Sequence, residues 1–147
     1  MPESSPEAVT LAVGGYIGML VAALVPAPEA AAALRLDGLP AVVIYALVMA
    51  AIPLLAQIAL HPILMVTFLG TVLGATPALG LDPTLLALSL AIGWSLNLTA
   101  SPFSASSLVL GRVTGIPGRR LSWRWNALFS PGAYLLAVLG LALFSLL

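Results

Sequence analysis

The feature that most constrains this chain is a short polar interruption inside a long apolar run. Residues 84–96 are almost all apolar, residues 97–107 read NLTASPFSASS, and apolar residues resume at Leu108. In lipid, a backbone or hydroxyl group without a partner costs several kcal/mol, so such a break survives only inside protein or beside a wet cavity. Broken transmembrane helices with freed backbone groups build solute sites in many secondary transporters. The break therefore favours a transport function.

The composition indicates an integral membrane protein. Of the 147 residues, 61% are hydrophobic and 7% are charged, whereas soluble domains carry roughly 25% charged residues. The formal net charge is zero, which gives no reason to expect a nucleic acid partner. Without cysteine, and with a single histidine, the chain has no metal cage or catalytic triad. We therefore expect neither an enzyme nor a bound cofactor.

Hydropathy predicts an all-α membrane fold of four to five transmembrane helices in one polytopic domain, residues 1–147. The candidate spans are 8–25, 41–60, 63–79, 84–113 with its break near 97–107, and 126–147. Residues 26–40 form an interfacial linker whose middle, 29–36, fits a short helix, and residues 80–83 form a turn. Because barely two residues separate the second and third segments, these are two spans, one long helix kinked near 53–63, or a re-entrant hairpin.

The charges predict an orientation in the membrane. Four of the five arginines surround the loop 114–125: Arg112, Arg119, Arg120 and Arg124. The positive-inside rule makes this loop cytoplasmic, and Trp123 and Trp125 fit an aromatic belt at the interface. The acidic residues 1–7 lack the basic region of a signal peptide, so the first segment is expected to be retained. The Ala-, Leu-, Gly- and Pro-rich composition suggests a bacterial source, hence a multi-pass protein of the inner membrane.

The break itself contains the candidate binding groups. On a continuous helix Asn97, Ser101 and Ser104 would share one face, and Pro102 would leave the carbonyl of Leu98 without its helical donor. Such oxygens suit Na⁺, while hydroxyls and helix N-terminal amides suit a carboxylate. The alternative is a kinked helix whose hydroxyls satisfy their own backbone and pack against a neighbour.

His61 has two interpretations. It could relay protons or contact a substrate carboxylate, or it could mark an interfacial helix boundary. The following Pro62 favours the boundary. Gln57 is expected to form an interhelical hydrogen bond, and the glycine pairs Gly14/Gly18 and Gly70/Gly74 are expected to allow close helix packing.

Several short motifs resemble the C-terminal half of carriers in the ion-transporter superfamily, above all the large membrane subunit of TRAP-type dicarboxylate transporters. The motifs are HPIL at 61–64, LGLDP at 79–83, LAIG at 90–93 and SPFSA at 101–105. The resemblance implies a carrier that moves a small anion with Na⁺ or H⁺. By position it assigns the substrate or cation region to Gly93, Asn97, Thr99, Ser101, Pro102 and Ser104.

The chain departs from that family in two ways. The break reads Ser-Pro-Phe where the family has Thr-Pro-Pro, and the first structural repeat is missing. The resemblance therefore implies a fragment, a split-gene subunit, or a small lipid-embedded protein that must assemble with copies of itself or with a partner chain supplying the missing half. The rival interpretations are a non-transporting accessory or structural subunit, in which the break serves packing alone, and a small intramembrane enzyme.

Overall fold

A computed structural model describes residues 5–36 and 38–145. Residues 1–4 of the acidic N-terminal stretch, Asp37 of the linker and residues 146–147 of the last segment lie outside the described residues. The described chain is helical, without strands. The helices are α1 (Ser5–Leu24), α2 (Ala27–Ala33), α3 (Ala41–Leu55), α4 (Pro62–Gly74), α5 (Pro83–Ala100), α6 (Ala105–Thr114), α7 (Gly118–Arg120) and α8 (Phe129–Phe144).

Three short elements complete the path of the chain. Ala56–Ile58 and Pro77–Leu79 are 3₁₀ turns, and Leu121–Trp125 continues α7 as a π-helical segment. The expected linker helix at 29–36 is present as α2, although it begins and ends a few residues earlier. The loop expected at 114–125 is only partly a loop, because α7 and the π-helical segment occupy most of it.

Local sequence signals fix the start of α5. The carboxylate of Asp82 accepts hydrogen bonds from the backbone amides of Thr84 and Leu85, at 2.8 and 2.9 Å. Pro83 occupies the first helical position, where its missing N–H costs nothing. Gly80 has φ of +59°, a conformation that glycine adopts without strain. The turn predicted at 80–83 is therefore confirmed.

Helix α5 lies at the centre of the bundle and runs parallel to α3. At one end the Tyr45 hydroxyl accepts a hydrogen bond from the Asp82 amide, at 2.7 Å. At the other end the Ser101 hydroxyl donates to the Ala56 carbonyl, at 2.9 Å. Tyr45, Met49 and Ile52 of α3 are almost completely buried. We call the end at Tyr45 and Asp82 the Asp82 end. We call the end at Ala56 and Ser101 the arginine end, because the arginine-rich residues 118–125 pack there.

The other long helices pack around this pair. Helix α4 runs antiparallel to α5, since Gly70 lies against Leu90. Helix α1 packs along α4 in the same direction, with Gly14 beside Ile63 and Gly18 beside Thr67. Helix α8 packs on both α3 and α5. The close helix packing expected at Gly14 and Gly18 is thus present between α1 and α4.

The second and third segments form a helical hairpin. Helix α3 continues through the 3₁₀ turn to Ala59, whose φ is +63°, and His61 then caps α4. The single kinked helix is therefore wrong. The continuous segment expected at 63–79 is also wrong, because α4 ends at Gly74 after 13 residues. Pro77 explains that end, since it has no amide donor and restricts Thr76 before it.

Among the described residues, two helical stretches are long and apolar enough to cross a membrane: Ala41–Ile58, which is α3 with its 3₁₀ turn, and Pro83–Thr114, which is α5 and α6 joined through the break. The number rises to four if each of two bent pairs counts as one span. These pairs are Ala12–Leu24 with Ala27–Ala33, bent by 83°, and Gly118–Trp125 with Phe129–Phe144, bent by 55°. The all-α prediction is confirmed, and the length and composition of the helices give two to four candidate spans.

Apolar side chains cover much of the outer surface. Leu24, Val113, Leu128 and Leu136 are all more than two thirds exposed. Large contiguous apolar surfaces mark sites of contact with membranes or other proteins. Such helix faces are suited to lipid or to another protein chain.

We predict that Gly93→Ala destabilises the bundle. An added Cβ would lie 2.8 Å from Ile52 Cδ1 and 3.1 Å from the Met49 carbonyl oxygen, so α3 and α5 would have to separate. Overpacking of this kind costs typically about 1–3 kcal/mol. The measurement is the thermal unfolding midpoint in detergent. Gly140→Ala is the control, because its Cβ would enter open space, and it should leave the midpoint unchanged or raise it. Equal midpoints for both variants would contradict the prediction.

Candidate functional site

The polar break is shorter than the sequence suggests. Helix α5 continues through Asn97 and Thr99 to Ala100, and α6 begins at Ala105. Only residues 101–104 leave the helix, with Ser101 extended at φ −95° and ψ 131°. Ser104 is the N-cap of α6, and its hydroxyl accepts a hydrogen bond from the Ser107 amide at 3.3 Å.

Serine hydroxyls replace the helical hydrogen bond that Pro102 cannot make. The carbonyl of Leu98 would normally accept a bond from residue 102, and proline has no donor. The Ser104 hydroxyl donates to this carbonyl at 2.9 Å, and the Ser106 hydroxyl also bonds to it. The carbonyl freed by Pro102 is therefore satisfied within the break.

Ser101 and Ser107 tie the break to its surroundings. Ser101 is fully buried. Its hydroxyl donates to the Ala56 carbonyl of the 3₁₀ turn and accepts from the Phe103 amide at 3.2 Å. The Ser107 hydroxyl donates to the Ser101 carbonyl at 3.0 Å and lies 2.9 Å from the hydroxyl of Ser122 in the π-helical segment. The 3₁₀ turn, the start of α6 and the π-helical segment thus meet at residues 101–107.

Helix α7 and the π-helical segment close over the break. A Cβ on Gly118 would lie 2.8 Å from the Pro102 carbonyl oxygen, so only glycine allows this approach. Gln57 stabilises the same region. Its Nε2 donates hydrogen bonds to the carbonyls of Pro53 and Ala100, and its Oε1 accepts one from the Trp123 indole at 2.9 Å. The interhelical hydrogen bond predicted for Gln57 is confirmed.

Asn97 is the polar residue that these bonds leave out. It is 3% exposed, and its Oδ1 atom is buried without a hydrogen-bond partner. A buried acceptor left unsatisfied costs roughly 1–3 kcal/mol. Buried small or polar residues recur every four residues along the side of α5 that faces α3, and we call this row the stripe. It consists of Ser89, Gly93 and Asn97, and Ser101 continues it just past the end of the helix.

The remaining predicted site residues lie elsewhere. Thr99 faces α8, and its hydroxyl lies 3.1 Å from that of Ser130. His61 is exposed, and its Nδ1 accepts a hydrogen bond from the Ile63 amide at 3.3 Å. This capping geometry agrees with the interpretation of His61 as a helix boundary. The structure thus groups Gly93, Asn97 and Ser101 on one face, with Pro102 and Ser104 in the adjoining break.

A cavity of about 240 Å³ adjoins the break between α3, α5 and α8. Its polar lining includes Gln57, Ser130 and Tyr134. No sequence motif marks Ser130 or Tyr134, because each lies alone in an apolar segment. Only the antiparallel packing of α8 brings them beside the break.

The chemistry available at the break is that of neutral oxygen atoms. Among the described residues no group of histidine, cysteine or acidic side chains could hold a metal ion. The hydroxyl protons of Ser101, Ser104 and Ser107 point at carbonyl oxygens. The hydroxyls of Ser104 and Ser107 also contact neighbouring hydroxyls, whereas Asn97 Oδ1 keeps both of its lone pairs. The arrangement therefore suits a cation or a water molecule better than an anion.

Comparison with known proteins adds no relative. No protein-family model, no curated protein and no solved structure matches this chain. The chemistry of the break must be interpreted from its own residues.

We predict that Ser101→Ala lowers stability more than Ser95→Ala. The first change leaves the Phe103 amide without its partner and leaves the Ala56 carbonyl only its bond from the Ala59 amide, a loss of roughly 1–3 kcal/mol. Ser95 is exposed and bonds only to the Ala91 carbonyl of its own helix, so its removal should be nearly neutral. Thermal unfolding of both variants in the same detergent makes the comparison. If the two midpoints fall equally, the tie between the break and α3 does not stabilise the fold.

Proposed function

We propose that this chain is the membrane component of a secondary active transporter that moves a small anionic solute together with Na⁺ or H⁺. In this proposal four to five segments cross a bacterial inner membrane, and the cation binds at the face between α3 and α5. The observation that carries the proposal is the buried, unpaired Oδ1 of Asn97. A buried acceptor without a partner lowers the stability of the protein, and a bound ligand would supply the missing partner.

A second oxygen, which lacks its usual helical donor, supports a cation at this face. Pro53 lies inside α3 and cannot donate to the Met49 carbonyl one turn earlier. That carbonyl oxygen lies 3.1 Å from the position of a Cβ on Gly93, one turn from Asn97 on α5. Unwound or freed carbonyls are a common means of coordinating Na⁺ in carriers with broken helices.

The anionic solute and the need for a second half rest on the resemblance to ion-transporter superfamily carriers. Carriers of this kind form their site between two related halves, and this chain would supply one of them. The cavity lined by Gln57, Ser130 and Tyr134 offers a neighbouring space for part of the solute. The other half would come from a second copy or from a partner chain.

A different observation favours a second candidate, a non-transporting accessory subunit. The hydroxyls of Ser101, Ser104 and Ser107 all donate to carbonyls within the chain. A break satisfied so completely can serve as a rigid kink that seats a partner. Asn97 separates the two candidates, because a packing role gives no reason to leave its oxygen unpaired.

We predict that Asn97→Ala reduces cation-coupled transport without unfolding the protein. The loss of a ligand to a desolvated cation is worth roughly 1.5–3 kcal/mol, or about a ten- to hundredfold loss in affinity. The probe is uptake of radioactive sodium into proteoliposomes, with and without a panel of small carboxylates. The thermal midpoint should stay level, because the variant also removes an unsatisfied acceptor.

Ser89→Ala is the matched control for this test. Ser89 is buried on the same stripe, but its hydroxyl donates to the Leu86 carbonyl of its own helix. Sodium uptake by this variant should equal that of the wild type. If Asn97→Ala and the wild type transport alike, or if neither transports with any candidate partner present, the accessory role replaces the carrier.

We also predict that the arginine end is cytoplasmic. The chain has no native cysteine, so a single introduced cysteine reports its own position. Ala127 is an exposed residue next to the arginine-rich segment, and Ala78 is an exposed residue at the Asp82 end. A membrane-impermeant thiol reagent should label Ala78→Cys in intact cells and Ala127→Cys only after permeabilisation. The reverse labelling pattern would overturn the orientation.

A further inference from the structure

The segment formed by α7 and its π-helical continuation, residues 118–125, has one packed face and one free face. Leu121 and Ser122 are buried against the break. The side chains on the free side are exposed, and they are unusually rich in arginine and tryptophan: Arg119, Arg120, Trp123, Arg124 and Trp125. We call this exposed set the basic patch.

None of the acidic side chains that the structure describes lies near the basic patch. Arg120 and Arg124 are four residues apart in a helical segment, and like charges at that spacing repel. The acidic side chains that the structure describes, Glu29 and Asp82, lie at the opposite end of the bundle. An anion from outside the chain would therefore stabilise the segment.

The tryptophans indicate what kind of anion fits. Trp123 and Trp125 are 54% and 61% exposed on either side of Arg124. The Trp123 indole N–H donates to Gln57, so this ring is held in place while much of it remains exposed. Tryptophan rings favour the depth of lipid headgroups, and guanidinium groups bind phosphate through paired hydrogen bonds. Rings and arginines side by side match a phospholipid better than a free phosphate ion.

We propose that the basic patch binds the headgroup of an anionic phospholipid and thereby holds the break closed. The bound phosphate lies between Arg120 and Arg124, and the tryptophan rings lie along the glycerol and upper acyl chains. Ser122 and Gly118 connect the same segment to Ser107 and Pro102. Lipid binding thus stabilises the contact between residues 118–125 and the break. The proposal rests on insertion in a membrane and not on transport.

The test uses the full chain in lipid nanodiscs, in a Trp94→Phe background so that only the two patch tryptophans fluoresce. Brominated phosphatidylglycerol, present as a minor component in phosphatidylcholine, should quench their fluorescence more strongly than brominated phosphatidylcholine at the same fraction. The double variant Arg120→Gln/Arg124→Gln should lose this preference, by about fivefold for each arginine removed. Its thermal midpoint should no longer rise when phosphatidylglycerol is added.

The matched control is Arg35→Gln/Arg112→Gln, which removes the same charge outside the patch. It should keep the full preference for phosphatidylglycerol. Arg124→Lys, which keeps the charge and the fold but loses the paired hydrogen bonds, should show an intermediate preference. No preference in the wild type, or equal loss in both double variants, would overturn the proposal. Displacement of the lipid by millimolar inorganic phosphate would also overturn it, since the patch would then be a site for the free ion.

Discussion

The close contact between α3 and α5 is the constraint on which the rest of the structure depends. It is possible because Gly93 has no side chain to hold Met49 and Ile52 away. Tyr45 fixes one end of the contact through the Asp82 backbone, and Ser101 fixes the other through the Ala56 carbonyl. Helices α4 and α8 pack against this pair of helices, α3 and α5, and α1 packs on α4.

The local sequence places the polar break, and that register stabilises it. Pro102 ends α5 because it has no amide donor and restricts Ser101 before it. Ser101 then bonds to the Ala56 carbonyl, and the hydroxyls of Ser104 and Ser106 take over the carbonyl that Pro102 leaves free. The local cost of the break is thus almost removed. What remains unsatisfied is concentrated at Asn97 Oδ1. Because Asn97 Oδ1 is the one buried side-chain oxygen without a partner among the described residues, the proposed cation is placed beside it.

The break and the basic patch are parts of one assembly at the arginine end. Gln57 connects α3, the end of α5 and Trp123, while Ser107 and Ser122 connect α6 to the π-helical segment. The segment that carries the exposed arginines is therefore connected to the break by hydrogen bonds. If the chain transports a solute as proposed, lipid at its surface and cation in its interior would act on the same contacts.

The sequence by itself determined the helical class, the position of the interruption and most helix boundaries, because these depend on apolar runs, prolines and caps close in the chain. It also predicted that Gln57 would bond between helices and that His61 would mark a boundary. It could not decide between a hairpin and a kinked helix at Ala59–His61, nor place Thr99 apart from Asn97. Those outcomes depend on packing between distant segments. Helix α3 covers the face of α5 that carries Asn97, whereas α8 packs on the face that carries Thr99 and brings Ser130 to it. The unpaired state of Asn97 was equally invisible, since it depends on which neighbours the tertiary fold puts within hydrogen-bond reach.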